Sequence, residues 1–311
     1  MKIGIDIGGS HIAVGLVNKR YELIAKKDIS LKELRTNESI EKKIENTIVN
    51  FIKELLKENN EKEENIEVIG IGTPGTVKDG VIYNAVNLGL DGFDIKNMIA
   101  GYFNTKIYVQ NDCKCSGICE KELGSLNGYE DSVFIAIGTG IGGAVFLNNN
   151  MLIPKRYSGF EFGHMIINKN GYNCKCGNKG CFEVYNSMKK FKKDIIDIFK
   201  LDENIHGKEI YEFIKENKNN IKMQKFLEEY ICNLSIGLAN IINIFEPQAI
   251  SLGGSFAYFG DLLLDKLKEN LKDKLFNNSC PELYIAKYHN DAGIIGATML
   301  DKYDKKQYNI K

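Results

Sequence analysis

Apolar residues alternate with small or polar ones from the start of the chain, through Lys2-Ile-Gly-Ile-Asp-Ile-Gly-Gly-Ser-His-Ile-Ala-Val-Gly-Leu-Val17. The alternation breaks once, at Gly8-Gly9-Ser10, and a period of two with a glycine turn in its middle predicts a hairpin of two strands. Ser132-Val-Phe-Ile-Ala-Ile-Gly-Thr-Gly-Ile-Gly-Gly-Ala-Val-Phe-Leu147 repeats the design around Gly138-Thr139-Gly140. Between the hairpins, residues 39–56 carry Ile40, Ile44, Ile48, Phe51 and Leu55 at helical spacing. A short apolar strand over 66–72 runs into Thr73-Pro74-Gly75, a helical stretch covers 93–102, and a strand over 106–109 ends at Asn111-Asp112 with a helical run over 115–123 behind it. The pattern then predicts helices over 183–202, 207–217 and 221–245, and a strand over 248–252 that ends in Gly253-Gly254. A helix over 259–275, a strand over 283–288 and a helix over 292–303 complete it. Strands and helices in alternation imply an α/β architecture with mixed sheets. Two hairpins of one design suggest two lobes that hold one phosphate chain between them. The expected lobes are 1–112, joined by the C-terminal helix 292–311, and 113–291.

Composition narrows the classes of function. Of 311 residues, 43% are hydrophobic and 26% charged, which suits an ordinary globular protein. Lys plus Arg and Asp plus Glu both number 41, a balance that argues against nucleic acid as a partner. The N-terminus enters a strand pattern at once, with no charged-then-apolar leader, and the longest apolar stretch is broken by the glycines at 138, 140, 142 and 143. A cytoplasmic protein with no membrane partner is therefore expected. Three of the eight cysteines crowd into Cys174-Lys-Cys176-Gly-Asn-Lys-Gly-Cys181, which in such a chain reads as metal ligands rather than disulfides.

Three constellations carry candidate chemistry. Each glycine turn can bring backbone N–H groups close to a phosphate, because no side chain obstructs the approach. A single such turn could equally be a plain hairpin; the second copy is what favours ligand binding. Asp6, on the strand before the first turn, could hold Mg²⁺ through water. Asp112 follows a strand and has the chemistry to take a proton from an attacking hydroxyl, although it could also serve as a helix N-cap. His164 with Cys174, Cys176 and Cys181 supplies a closed tetrahedral set for a structural Zn²⁺. Glu161 and Glu183 flank these ligands without being needed by the metal, which leaves two carboxylates to accept hydrogen bonds from a polyol.

Asp-Ile-Gly-Gly-Ser, Asn-Asp, Gly-Thr-Gly-Ile-Gly-Gly, Glu-x-Gly-His and Cys-x-Cys-Gly-x-x-Gly-Cys-x-Glu occur in this order, with Asn84-Ala-Val-Asn87-Leu88, Gly253-Gly254 and Asp291-Ala-Gly-Ile-Ile-Gly296. The whole chain thereby resembles the ROK family of sugar kinases and repressors. The resemblance implies an actin-like/hexokinase-like fold of two RNase H-like domains and ATP-dependent phosphorylation of a sugar. It implies Asp112 as catalytic base, with Gly75, Asn87, Asn111, Asp112, Glu161, His164 and Glu183 on the sugar. Gly8, Gly9, Ser10, Thr139 and Gly140, with Gly138 in the same turn, would hold phosphates, and Gly254 would lie against the nucleoside. Mg²⁺ would bridge the ATP phosphates, and zinc would fix the ring of His164, which would also touch the sugar. Dimers or tetramers are common in the family. Its repressors carry a DNA-binding helix-turn-helix ahead of the first glycine turn; with Asp6 five residues from the start of the sequence, none is expected here. The 6-hydroxyl of glucose is the first expectation; N-acetylmannosamine or N-acetylglucosamine is the alternative, and a sugar sensor without catalysis a third. Two departures bear on the sugar. Cys113-Lys114-Cys115 stands where the family has Ala-Asn, so that Cys113, Cys115 and Cys119 read as core thiols or as a second metal set. Tyr157-Ser-Gly-Phe160 stands where the family commonly has Gly-Ala-Gly, so that Phe160 either narrows the pocket or packs behind it.

Overall fold

A computed structural model describes the chain except residues 10, 32, 34–37, 155–158, 278 and 305–311. Ser10, Tyr157 and Ser158, named above, lie outside the described residues. The first hairpin forms as expected, β1 (Lys2–Ile7) against β2 (His11–Val17), and β2 continues into β3 (Leu23–Ser30). Helix α1 (Ile40–Glu58) follows, started by Ser39, whose side chain accepts the Lys42 N–H. Next come β4 (Val68–Thr73), the short strands β5 (Thr76–Lys78), β6 (Val81–Tyr83) and β7 (Phe93–Asp94), then α2 (Ile95–Ala100), β8 (Lys106–Asn111) and α3 (Asp112–Glu122). The second hairpin is β9 (Ser132–Ile137) and β10 (Ile141–Leu147), followed by β11 (Asn150–Met151). After the cysteine loop come α4 (Glu183–Asn186), α5 (Met188–Phe199), α6 (Gly207–Glu216), α7 (Ile221–Phe245), β12 (Ala249–Gly253), α8 (Gly260–Lys272), β13 (Glu282–Ile285), α9 (Ala292–Ala297) and α10 (Leu300–Asp304).

The internal echo extends to whole sheets. One runs β3-β2-β1-β4-β8 and the other β11-β10-β9-β12-β13. In the first, β1, β2 and β3 are antiparallel while β4 and β8 join parallel; in the second, β10 and β11 are antiparallel while β9, β12 and β13 run parallel. Each sheet is thus a meander extended by two parallel strands, the RNase H-like pattern, and the chain has the actin-like/hexokinase-like fold. A third sheet, β5-β6-β7, is a small antiparallel insertion.

By its contacts the chain divides into two units. One comprises Met1–Gly128, Ala144–Gly159 and Asn290–Lys311, the other Tyr129–Gly143 and Phe160–His289. Residues 113–128 and 144–159 fall in the first unit, where the sequence reading put them with the second lobe, and the division cuts through β10.

In the first unit, alternation along β1 sends Ile3, Ile5 and Ile7 to one face. There they pack with Ile12, Val14 and Leu16 of β2 and with Ile44, Ile48, Ile52 and Leu55 of α1, all fully buried. The opposite face carries Gly4, which pairs with Gly15 on one side and Gly70 on the other. This row of glycines forms the bed of α9. A methyl group at Gly4 or Gly70 would collide with the backbone carbonyls of Ile294 and Ala297, and one at Gly15 with the Ile294 side chain. The second unit has an aromatic core in which Phe191 packs on Phe226, Tyr230 and Phe259, with ring centroids 4.6 to 5.6 Å apart. Tyr230 and Asn186 exchange hydrogen bonds, the Asn186 amide donating to the Tyr230 carbonyl and the Tyr230 hydroxyl to the Asn186 carbonyl.

Two long expected helices are each broken. The 183–202 helix is interrupted at Ser187, whose extended backbone and side chain cap the N-terminus of α5. The 292–303 helix ends at Ala297 and restarts at Leu300. Among the described residues no helix is long and apolar enough to cross a membrane.

Candidate functional site

The first unit gathers the candidate groups at the carboxyl ends of β1, β4 and β8. Asp6 is on the α9 face of β1, and its register partner on β4 is Gly72. A Cβ at Gly72 would lie 3.4 Å from the Asp112 Cα and 3.3 Å from the Cys115 Sγ, so β4 and the start of α3 are in close contact. Asp6 also touches Gly293 of α9, where an added Cβ would stand 2.8 Å from the carboxylate. Burial, and after it the charge of Asp112, push Asp6 from 3.8 up to about 7, against the opposing pull of Lys26. Lys26 reaches Asp291 at 3.0 Å. Below the two carboxylates Cys115 is fully buried, and burial followed by the charges of Asp6 and Asp112 holds its thiol well above the ordinary value. Burial does the same for Cys119. Both therefore pack as neutral thiols, and among the described residues the α3 cysteines form no metal cluster.

Asn111, not Asp112, caps α3. Its backbone is extended and its side-chain oxygen accepts the Cys113 and Lys114 N–H groups, which makes Asp112 the first residue of the helix. The Asn111 amide donates to the Gly75 carbonyl at 3.3 Å and reaches toward that of Thr73 at 3.5 Å. Both ends of this side chain thus serve the backbone around the site. The Asp112 carboxylate accepts its neighbour's N–H, that of Cys113, at 2.9 Å. Gly75 adopts φ +84°, a left-handed conformation natural to glycine, and a side chain there would strike the Tyr83 carbonyl and Ala85 amide. In the first turn, Gly8 donates to the His11 carbonyl, and a Cβ added at Gly9 would stand 3.8 Å from the Asn87 amide nitrogen.

The second unit holds the other candidates. The Gly138-Thr139-Gly140 turn closes with the Gly138 N–H on the Gly140 carbonyl at 2.9 Å. Glu183, at the start of α4, accepts the Ile141 N–H at 2.9 Å, and a methyl group at Gly140 would collide with the same carboxylate. Glu161 precedes the single turn Phe162–His164. Phe160 has φ +59°, an unusual conformation for a bulky residue, and its ring packs on Phe162 and Phe245 at 6.3 and 5.9 Å. Gly254 has φ +68° and sits against the Ile137 backbone, where no side chain fits.

A ring nitrogen of His164 and the three Sγ atoms of Cys174, Cys176 and Cys181 lie within 4.8 Å of one another and could hold a metal ion. A tetrahedral ion with Zn–S bonds of about 2.3 Å separates its sulfurs by about 3.8 Å and its sulfur from a ring nitrogen by about 3.5 Å. Cys176 and Cys181 are 3.6 Å apart, and Cys174 is 3.8 Å from the His164 ring. The donor set therefore fits zinc in number, chemistry and spacing. Burial pushes Cys181 up to about 12, whereas the Asn178 amide holds Cys176 below its ordinary value. A bound cation would favour the thiolate at both.

Two groups beside the candidate site do not stand out in the sequence. Lys26 lies on β3, a strand that the reading did not predict, although alternation in Leu23-Ile-Ala-Lys-Lys-Asp-Ile-Ser30 was there to find. The backbone N–H of Ile141 leaves no trace in sequence at all.

The model of the ROK family matches residues 2–303. The chain is 27% identical to a xylose repressor from Caldicellulosiruptor bescii, over 93% of this chain and 72% of that protein. It is 25% identical to a glucokinase from Thermotoga maritima, over 96% of each. The crystal structure of a ROK hexokinase from Thermus thermophilus superposes with a TM-score of 0.80 at 25% identity, covering 98% of this chain and 99% of that one.

Proposed function

The chain belongs to the ROK family, and from that premise we propose that it is a cytoplasmic sugar kinase that transfers the γ-phosphoryl group of ATP to the 6-hydroxyl of a hexose, with glucose the first candidate. The observation that carries this reading is the pairing of Asp112 with Asp6 at the carboxyl ends of β8 and β1, where α/β proteins present side chains to ligands. Asp112, anchored on the first turn of α3, would accept the proton of the sugar hydroxyl as it attacks in line. Asn111 would orient it by fixing that turn against Gly75. The sugar would also contact Gly75, Asn87, Glu161, His164 and Glu183, and the phosphates the turns at Gly8-Gly9-Ser10 and Gly138-Thr139-Gly140, with Gly254 beside the nucleoside. Asp6 would bind Mg²⁺ through water, and the cation would neutralise phosphate charge. His164, Cys174, Cys176 and Cys181 would hold zinc, which would supply rigidity to the loop that presents the His164 ring. The assembly would be a homodimer or homotetramer.

A second reading, a sugar-responsive repressor, draws on the likeness to the xylose repressor. One assay separates the readings. ADP release is measured with glucose, N-acetylmannosamine, N-acetylglucosamine and xylose in turn. Turnover with glucose is the expected result, and turnover with an N-acetylhexosamine alone would move the substrate. No turnover with any sugar, together with sugar-dependent binding, would favour the repressor.

A further inference from the structure

The turn at Gly138-Thr139-Gly140 poses a physical problem. Two glycines in three residues allow close approach to a phosphate, but they also leave the backbone free to rotate, so its N–H groups need external bracing to stay aimed. The structure supplies that bracing from the segment after the cysteine loop. The peptide between Gly140 and Ile141 is held at both ends, its carbonyl accepting from Gly138 and its N–H donating to Glu183. At the other end of the turn, the Lys189 N–H donates to the Gly138 carbonyl at 3.3 Å. Gly163 packs beneath the turn, where a Cβ would lie 2.6 Å from the Ile141 carbonyl.

The identity of the brace is informative. A carboxylate beside a phosphate-binding turn is electrostatically unfavourable for the phosphate. What it offers is a strong charge-assisted acceptor that fixes one peptide plane. The Gly140 carbonyl, turned back into the turn, is already engaged by the Gly138 N–H.

We propose that Glu183 is a positioning residue for nucleotide binding: by accepting the Ile141 N–H it sets the orientation of the Gly138-Thr139-Gly140 turn, in addition to any contact it makes with sugar. The inference rests on the kinase reading for the identity of the ligand, but not for the bracing itself. Wild type and two variants, Glu183→Ala and Glu183→Gln, each metal-loaded, test it. Glutamine keeps a side-chain oxygen that can accept the Ile141 N–H and removes the charge. Amide hydrogen exchange over the turn should accelerate in Glu183→Ala and stay near wild type in Glu183→Gln. The KM for ATP at saturating sugar should rise on the order of tenfold in Glu183→Ala, the scale of one lost charge-assisted hydrogen bond. In Glu183→Gln, which keeps a neutral and therefore weaker acceptor, it should fall between those of wild type and Glu183→Ala, whether or not the KM for sugar recovers. A merely structural loss would raise exchange throughout the second unit and would not be rescued by glutamine, which would overturn the proposal. An unchanged ATP KM and turn exchange in Glu183→Ala, with only the sugar KM raised, would overturn it too. Wild-type protein that turns over no sugar would instead defeat the kinase reading; turn exchange that is then the same in all three proteins would overturn the bracing as well.

Discussion

Asp6 gives the sharpest quantitative test, because its environment is assembled from three other elements. Burial does most to raise its proton affinity, Asp112 of α3 raises it further and Lys26 of β3 lowers it, while the neutral Cys115 thiol of α3 and Gly293 of α9 complete its surroundings. An aspartate that titrates near 7 in the folded protein and near 3.8 in the unfolded chain retains a proton that the unfolded state has released. Between these two values the native state binds more protons, so stability falls as pH rises, and the full penalty is present above about pH 7. An interval of about three pH units, at about 1.4 kcal/mol per unit, amounts to an upper limit of about 4 kcal/mol. Asp6→Asn removes the titration and keeps the shape. In Mg²⁺-free buffer without nucleotide, urea unfolding of both proteins from pH 4.5 to 8 should show wild type losing stability relative to Asp6→Asn as pH rises. The gap should level off above pH 7, and Asp112→Asn should shrink it. A gap that stays constant across the range would refute the raised proton affinity of Asp6, and a gap that Asp112→Asn leaves unchanged would refute the shared site of the two carboxylates.

Three further outcomes are expected. Asp112→Ala should lower turnover about a hundredfold or more, measured by ADP release, while leaving ADP affinity largely intact; near-normal turnover would remove Asp112 from the base role. Elemental analysis should find about one zinc per wild-type chain and far less in Cys176→Ser, with a lower melting temperature; zinc-free wild type would end the ligand assignment. Gly70→Ala should destabilise the protein by at least about 2 kcal/mol in urea unfolding, because its methyl group would meet the Ala297 carbonyl rather than a yielding side chain.

Much of this was legible because single residues carried it. Ile40, Ile44 and Ile48 announce α1, and the uninterrupted apolar spacing of α7 places its ends as observed. The cluster of His164, Cys174, Cys176 and Cys181 is legible because few other roles suit a histidine and three cysteines so close together. What escaped depends on contacts between distant segments. β3 presents Lys26, Lys27 and Asp28, so half of its alternation reads as a polar loop until β2 pairs with it. Asn111 and Asp112 both suit an N-cap, and only the path of β8 decides between them. Ser187 looks like any serine in a helical run until it caps α5 and the neighbouring Lys189 N–H meets Gly138.

The row formed by Gly15, Gly4 and Gly70 also has a consequence for how the chain is made. The helix that fills this furrow begins at residue 292, whereas the strands that form it are complete by residue 73. During synthesis, a nascent first unit therefore carries an open furrow while more than two hundred further residues are added. All of the second unit leaves the ribosome in that interval, so it can close first although the first unit was begun earlier. A chain interrupted just short of α9 would have one finished unit and one unsealed sheet. That makes Ala292–Ala297, among the shortest helices in the protein, the segment whose arrival ends the chain's most vulnerable stage.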